Sequence, residues 1–230
     1  DIVSCFVLGN LFEPVILGEI QNKGLGLDVD VFNEKGKSIK NIKGELVCKN
    51  PFPSMPLKFW NDKHDVKFKN AYFNKFLNIW HHGDYVERKK SGGFIIYGRS
   101  DTTLNPGGVR IGTAEIYSEV EKFMEIKESI VVGQTWDNDI RIILFIVLNS
   151  NYEFNEELLI KLKKKIRKNV SPRHVPDKVI PINDIPRTKN GKIVELAVKN
   201  ILEGNVIKNK EALANPEVLE QYKNLKELSY

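Results

Sequence analysis

Residues 94–112 read Phe94-Ile95-Ile96-Tyr97-Gly98-Arg99-Ser100-Asp101-Thr102-Thr103-Leu104-Asn105-Pro106-Gly107-Gly108-Val109-Arg110-Ile111-Gly112. An apolar β-type run, Phe94–Tyr97, ends at Gly98 and hands over to an arginine and an aspartate. Asn105-Pro106-Gly107-Gly108 then makes a tight turn, because proline fixes φ and glycine admits φ > 0. The chain leaves as the β-branched segment Val109-Arg110-Ile111, and a helix opens at Gly112-Thr113. Arg99 and Arg110 flank this flexible turn, and a guanidinium offers a planar fork of donors suited to phosphate and carboxylate. Alone, such a stretch also describes an ordinary hairpin carrying surface arginines. The pattern on either side of it gives it weight.

Upstream, residues 1–100 read as β-rich. Strands are predicted at Ile2–Val7, Leu27–Phe32, Glu45–Cys48 and Phe94–Tyr97, separated by glycine and proline turns, and the whole suggests a small barrel or distorted sheet. Asn33–Lys37 and Ser91-Gly92-Gly93 have hairpin-turn composition, and Tyr72–Trp80 fits no single pattern. Downstream of Gly112, helices and strands alternate. Ile116, Val120 and Phe123 recur at helical spacing, and Glu115 stands in the first turn, where the helix dipole favours an acid. Ser129–Val132 and Ile140–Leu148 read as strands, the second apolar enough to be central in its sheet. Asn155 is placed to cap a helix with Leu158, Leu159, Leu162 and Ile166 on one face. Lys178–Ile182 is a further strand, a loop spans Asn183–Lys192, and a short helix runs from Val194 to Leu202. Residues 203–230 read as a weakly structured tail with a helical piece near Glu217–Lys226. The fold class is therefore α+β, with the boundary between its halves at Ser100-Asp101.

The 230 residues suffice for a buried core, and with 41% hydrophobic and 28% charged residues the composition is that of an ordinary globular chain. No apolar run approaches the roughly 20 residues of a membrane span. The start, Asp1-Ile2-Val3-Ser4, carries neither methionine nor a basic leader and predicts a fragment or processed chain. Cys5 and Cys48 provide no disulfide framework or metal spacing and predict buried thiols in a reducing cytoplasm. His81-His82 would be the one histidine pair for a metal, but neighbours in a strand face opposite ways. The net charge of +5 owes much to lysines and an arginine between Lys161 and Lys168. Without interleaved aromatics these make a solvated face rather than a nucleic-acid surface.

Gly98-Arg99-x-Asp101-x-x-x-Asn105-x-x-Gly108-x-Arg110 resembles the hinge motif of the adenylate-forming acyl-CoA synthetases. Pro186-Arg187-Thr188-Lys189-Asn190-Gly191-Lys192 is similar to their P-x-T-x-x-G-K loop, and Gly83-Asp84 to a Gly-Asp pair. The three motifs occur in the family's order. The wording from Gly108 to Tyr117, and Ala214-Asn215-Pro216-Glu217, resembles the branch acting on a short keto acid. The resemblance implies an ATP-dependent acid–CoA ligase using ATP, CoA and Mg, with small-molecule substrates and no nucleic-acid partner. Residues 1–100 would be the β-rich end of a large N-terminal domain, 101–202 a small α/β C-terminal lid, and 203–230 a tail.

The implied roles follow residue by residue. Lys192 would be catalytic, neutralising charge on the α-phosphate. Asp84 would bind the ribose hydroxyls, and Arg99 and Arg110 the nucleotide. Asp101 would be the hinge between adenylating and thioester-forming arrangements, and Gly107 and Gly108 would shape the pantetheine tunnel. Arg173 is a weaker candidate for a CoA phosphate, and Asp1 for magnesium. The family's phosphate loop and most of its acyl pocket are not among these residues, so the chain alone is expected to be inactive. An adenylating enzyme with another short acid or a non-CoA acceptor, and a non-catalytic binding module, remain alternative readings.

Overall fold

A computed structural model describes residues 2–207 and 210–229. The chain divides into two units, Asp1–Ser100 and Asp101–Tyr230, each with its own core. In the first unit, β1 (Val7–Leu8) pairs antiparallel with β2 (Asn22–Lys23). β3 (Val29–Phe32), β4 (Lys43–Cys48), β5 (Trp80–Arg88) and β6 (Phe94–Arg99) follow in spatial order as an antiparallel sheet. The strand expected at Ile2–Val7 is reduced to its last residue. Val3 is exposed, and only Val7 and Leu8 find a partner strand. Cys5 lies in that unpaired lead-in and is exposed, contrary to expectation, whereas Cys48 is buried, and burial raises its thiol pKa.

The Tyr72–Trp80 segment is a junction: α1 (Val66–Tyr72) ends at Tyr72, and Trp80 begins β5. The Tyr72 ring stacks on the Trp80 indole at 3.7 Å and 15°, and Phe52 meets it edge-on at 5.3 Å. Large rings bury much apolar area here. Their spacing follows neither helix nor strand, which is why the segment had no readable period. The register shifts between Glu45 and Val47 on β4 and between Tyr85 and Val86 on β5. Such irregularities bend a strand and re-aim the side chains beside it, here next to Asp84 in the middle of β5.

The second unit is a three-stranded sheet in the order β7-β8-β9. β7 (Ile126–Trp136) and β8 (Asp139–Leu148) form a hairpin closed by Asp137 and Asn138, at φ 47° and 60°, the handedness a two-residue hairpin turn requires. β9 (Lys178–Pro181) runs parallel to β8, so the chain must cross over between them. α3 (Glu156–Asn169) makes that crossing, its N-terminus capped by the Asn155 side chain accepting from Leu158 N–H at 2.9 Å. Val131, Ile142, Leu144 and Ile146 face α2 (Thr113–Val120) and α3. Ile130, Val132, Ile143, Phe145 and Val147 face the opposite layer. Both faces of β8 are thus covered, which explains its unbroken apolar run. α4 (Glu195–Leu202) is tied into the unit by Glu195, which accepts from the Tyr117 hydroxyl at 2.5 Å while that oxygen accepts from Val131 N–H at 3.0 Å. Burial, with the Glu195 carboxylate alongside, pushes the Tyr117 pKa far up.

The described residues after 203, read from sequence as a weakly structured tail, pack against this sheet. Tyr222 and Leu228 are buried in the same cluster as Phe145, and the Phe145 and Tyr222 rings meet edge-on at 4.9 Å. The segment is built from 3-10 turns, Pro216–Tyr222 and Lys226–Leu228, so its buried residues show no helical or strand period. Truncating a core side chain leaves a cavity. Leu162→Ala, at a position with 0% exposure, is expected to cost about 2–5 kcal/mol in urea unfolding, whereas exposed Ile160→Ala should move the midpoint little.

Candidate functional site

In the first unit the ladder sets Asp84 directly opposite Arg99. Gly83 has φ +84°, and a Cβ there would fall 2.8 Å from Arg99 Nη2, so the guanidinium lies over the bare glycine. Arg99 Nη1 reaches the His82 carbonyl at 3.3 Å and Asp84 Oδ1 at 3.4 Å, while Asp84 Oδ2 stands 3.4 Å from His82 Nε2. These distances are long for hydrogen bonds. With the Arg99 side chain 53% exposed, the pair steers the carboxylate without sealing it off. His82 packs its ring on Phe6 at 4.4 Å. Burial holds its pKa below the ordinary 6.5, against the pull of Asp84 and with help from the Arg99 and His81 charges. At neutral pH the Asp84 carboxylate therefore faces a neutral imidazole.

One residue of this region escaped the sequence reading. Glu45, inside a buried strand, receives Lys75 Nζ at 2.7 Å, lies 2.9 Å from His81 Nε2, and accepts from the Ser100 hydroxyl. Ser100 N–H also donates to Gly83 O at 2.9 Å, so the residue before Asp101 is held through backbone and side chain together. A buried carboxylate must be paired to be tolerated, and the only signal in the sequence was an acid amid the apolar β4 run. His81 and His82 turn to different partners, as expected of strand neighbours. Among the described residues no group of three or more His, Cys, Asp or Glu side chains is arranged for a metal, and Asp1 lies outside those residues.

In the second unit, Leu104 and Ile111 exchange backbone hydrogen bonds at 2.9 and 2.8 Å, closing a hairpin over Gly107 (φ 57°) and Gly108 (φ 74°). Both oxygens of Asp139 accept from Gly107 N–H at 2.9 Å. Arg110, on the same hairpin, reaches Thr103 Oγ1 through Nε at 3.4 Å and Nη2 at 3.3 Å. Asp101 is exposed as the first residue of this unit. Arg173 is exposed, and its guanidinium has no hydrogen-bond or ion-pair partner among the described residues.

Lys192 sits on a separate tight loop. Thr188 N–H donates to Lys192 O at 2.8 Å, Gly191 N–H to Thr188 O at 2.8 Å, and Lys192 N–H to Thr188 Oγ1 at 3.1 Å. Gly191, at φ +79°, makes the reversal possible. Arg187 braces the stem through Glu128 at 2.5 Å. The Lys192 ammonium is exposed and has no partner among the described residues, a charge presented on an ordered backbone.

Residues 115–192 match the AMP-binding enzyme C-terminal domain. The acetoacetyl-coenzyme A synthetase of Rhizobium meliloti (strain 1021) is 57% identical over 228 residues, which is 99% of this chain and 35% of that protein. The acetoacetyl-CoA synthetase of Gallus gallus is 46% identical over 230 residues, 99% of this chain and 34% of its own length. The solved acetoacetyl-CoA synthetase of Streptomyces lividans superposes with a TM-score of 0.90 at 39% identity, across 96% of this chain and 34% of that one. This chain thus spans about a third of the length of the relatives it matches. The matched stretch includes Arg173 and ends at Lys192 itself. Asp84, Arg99, Asp101, Gly107, Gly108 and Arg110 stand before it, on elements the whole-chain relatives also cover.

Proposed function

We propose that this chain is the C-terminal third of an ATP-dependent acid–CoA ligase that converts acetoacetate, ATP and CoA to acetoacetyl-CoA, AMP and pyrophosphate through an acyl-adenylate. The observation that carries the reading is the Lys192 loop, with its threonine latch and an ammonium group that has no partner among the described residues. Adenylation builds charge on phosphate oxygens, and a preorganised cation lowers that barrier. Asp84 accepts two hydrogen bonds from the ribose diol, Arg99 and Arg110 hold the nucleotide, and Arg173 meets a phosphate of CoA. Residues 1–100 close the large domain, and 101–202 swing about Asp101, bringing Lys192 in for the first half-reaction and Gly107-Gly108 for the second. The small-molecule substrates meet in cytoplasm, in keeping with two free cysteines. Magnesium accompanies ATP in this chemistry; no group of three or more metal-ligating side chains is present among the described residues, and Asp1, the candidate for it, lies outside them.

ATP–pyrophosphate exchange by the complete protein with a panel of short acids tests the reading. Exchange greatest with acetoacetate and thioester formation with CoA are expected. Exchange greatest with another acid, or transfer only to a non-CoA acceptor, would place the protein elsewhere among the adenylating enzymes, and no exchange with any acid would make it a binding module. The hinge makes a separate demand. Limited proteolysis should cut at Ser100–Thr103 before it cuts within Ile140–Leu148, and the reverse order would remove the boundary.

A further inference from the structure

The backbone groups along the stem of the Lys192 loop are taken up by the C-terminal segment. Ala214 N–H donates to Arg187 O at 2.8 Å and Lys189 N–H to Ala212 O at 3.2 Å, and Leu213 bridges antiparallel to Thr188. Arg187 also bridges to Ile193. The loop stem therefore lies between its own return strand on one side and residues 212–214 on the other. Isolated two-stranded ribbons are marginal in water, and a third strand stabilises them.

Asn215 completes the join with both of its amide donors and its oxygen. Its Oδ1 accepts from Arg187 N–H at 2.9 Å, and its Nδ2 donates to Ile185 O and to Asp184 Oδ2, each at 2.9 Å. No other amide orientation satisfies all three partners. Gln221 repeats the arrangement one step earlier, accepting from Asn183 N–H at 2.9 Å and donating to Asp184 O at 2.6 Å. The segment is itself anchored: Leu213 and Leu219 are buried with Ala197 of α4, the helix that begins just after Lys192.

We propose that residues 212–222 hold the Lys192 loop in its working shape, with Asn215 as the positioning residue that ties Arg187 to the C-terminal segment. These residues lie beyond the stretch that matches the AMP-binding enzyme C-terminal domain, which ends at Lys192, so the support comes from outside the matched stretch, though within the same unit. The consequence for rate rests on the adenylating role given to Lys192 above. A charged group displaced by about 1 Å can lose on the order of a hundredfold in rate, so the segment acts on chemistry without touching substrate.

The test uses the complete enzyme, with Asn215→Ala and Gln221→Ala each compared with Lys192→Ala. Acyl-adenylate formation by Asn215→Ala should fall by about ten- to a hundredfold in kcat with KM for ATP little changed, while thioester formation from synthetic acyl-adenylate and CoA proceeds at the parent rate. Amide hydrogen exchange across residues 183–193 should quicken in the same protein, with Gln221→Ala showing a smaller change of the same kind. Unchanged exchange in residues 183–193 in both variants would overturn the clamp whatever Lys192 does. Faster exchange with undiminished adenylation, while Lys192→Ala abolishes it, would overturn the positioning role and leave the reading of Lys192 standing. If Lys192→Ala itself adenylates normally, the proposed function fails, and exchange alone then decides whether the segment holds the loop. If Asn215→Ala does not fold, Gln221→Ala carries the same comparison.

Discussion

Lys192→Ala in the complete enzyme is expected to lower acyl-adenylate formation from acid and ATP by about 10²- to 10³-fold, the cost of losing one preorganised charge from a site of developing negative charge. The same variant, given synthetic acyl-adenylate and CoA, should make thioester at close to the parent rate. The fold should be untouched, because the ammonium is exposed and contributes to no pairing among the described residues. Thr188 holds the loop through the backbone N–H and C=O of residue 192, which alanine retains. Gly108→Leu should behave oppositely, adenylating well and failing with CoA. A Cβ at Gly108 meets nothing within 4 Å in the chain, so the new side chain fills open space rather than core, at a left-handed backbone cost of about 1–2 kcal/mol. Equal slowing of both half-reactions by Lys192→Ala would dismiss the two-position lid.

The second large effect is expected at Asp84. Asp84→Ala should raise KM for ATP about ten- to a hundredfold, because hydrogen bonds to a charged acceptor are worth about 1.5–3 kcal/mol. Thermal stability should barely move, since the Asp84–Arg99 pair is loose at 3.4 Å and the arginine is half exposed. A variant that unfolds, or that binds ATP normally, would leave Asp84 as a mid-strand carboxylate facing Arg99 and nothing more. His82 adds a pH signature. Its pKa lies below 6.5 in the folded protein, so acid protonates the unfolded chain first, and the stability held above pH 6.5 is lost as the pH falls through the folded value. Over the same window an imidazolium appears beside Asp84 and competes with the ribose. KM for ATP should therefore rise on the acid side, and His82→Asn should remove that rise.

Much of this was readable beforehand where one residue type has one physical use. Asn105-Pro106-Gly107-Gly108 could only be a turn, Asn155 stood where a helix needs a cap, and the apolar Ile140–Leu148 run required cover on both faces. The reading was weakest where structure depends on distant partners. Ile2–Val7 had strand composition but nothing to pair with beyond Val7. Glu45 looked like one charge in a strand, and its meaning lies in Lys75, His81 and Ser100, remote in sequence. Asn215 was noted only as part of a resemblance, because hydrogen bonds to residues about thirty positions earlier leave no local period.

The double hold on Ser100 bears on what the proposed ligase would keep while its lid swings. Glu45 grips the serine hydroxyl, and Gly83, next to Asp84, grips its amide. If Asp101 is the pivot we propose, its mounting is bolted to the strand that carries the ribose carboxylate. The turning part can then move a whole domain while the bearing stays still. A reactive mixed anhydride made in the first half-reaction would remain gripped by its nucleotide end throughout the swing, instead of being loosed to water midway. Loosening that mount, as Ser100→Ala would, should show itself as acyl-adenylate leaking into solution rather than as slower chemistry.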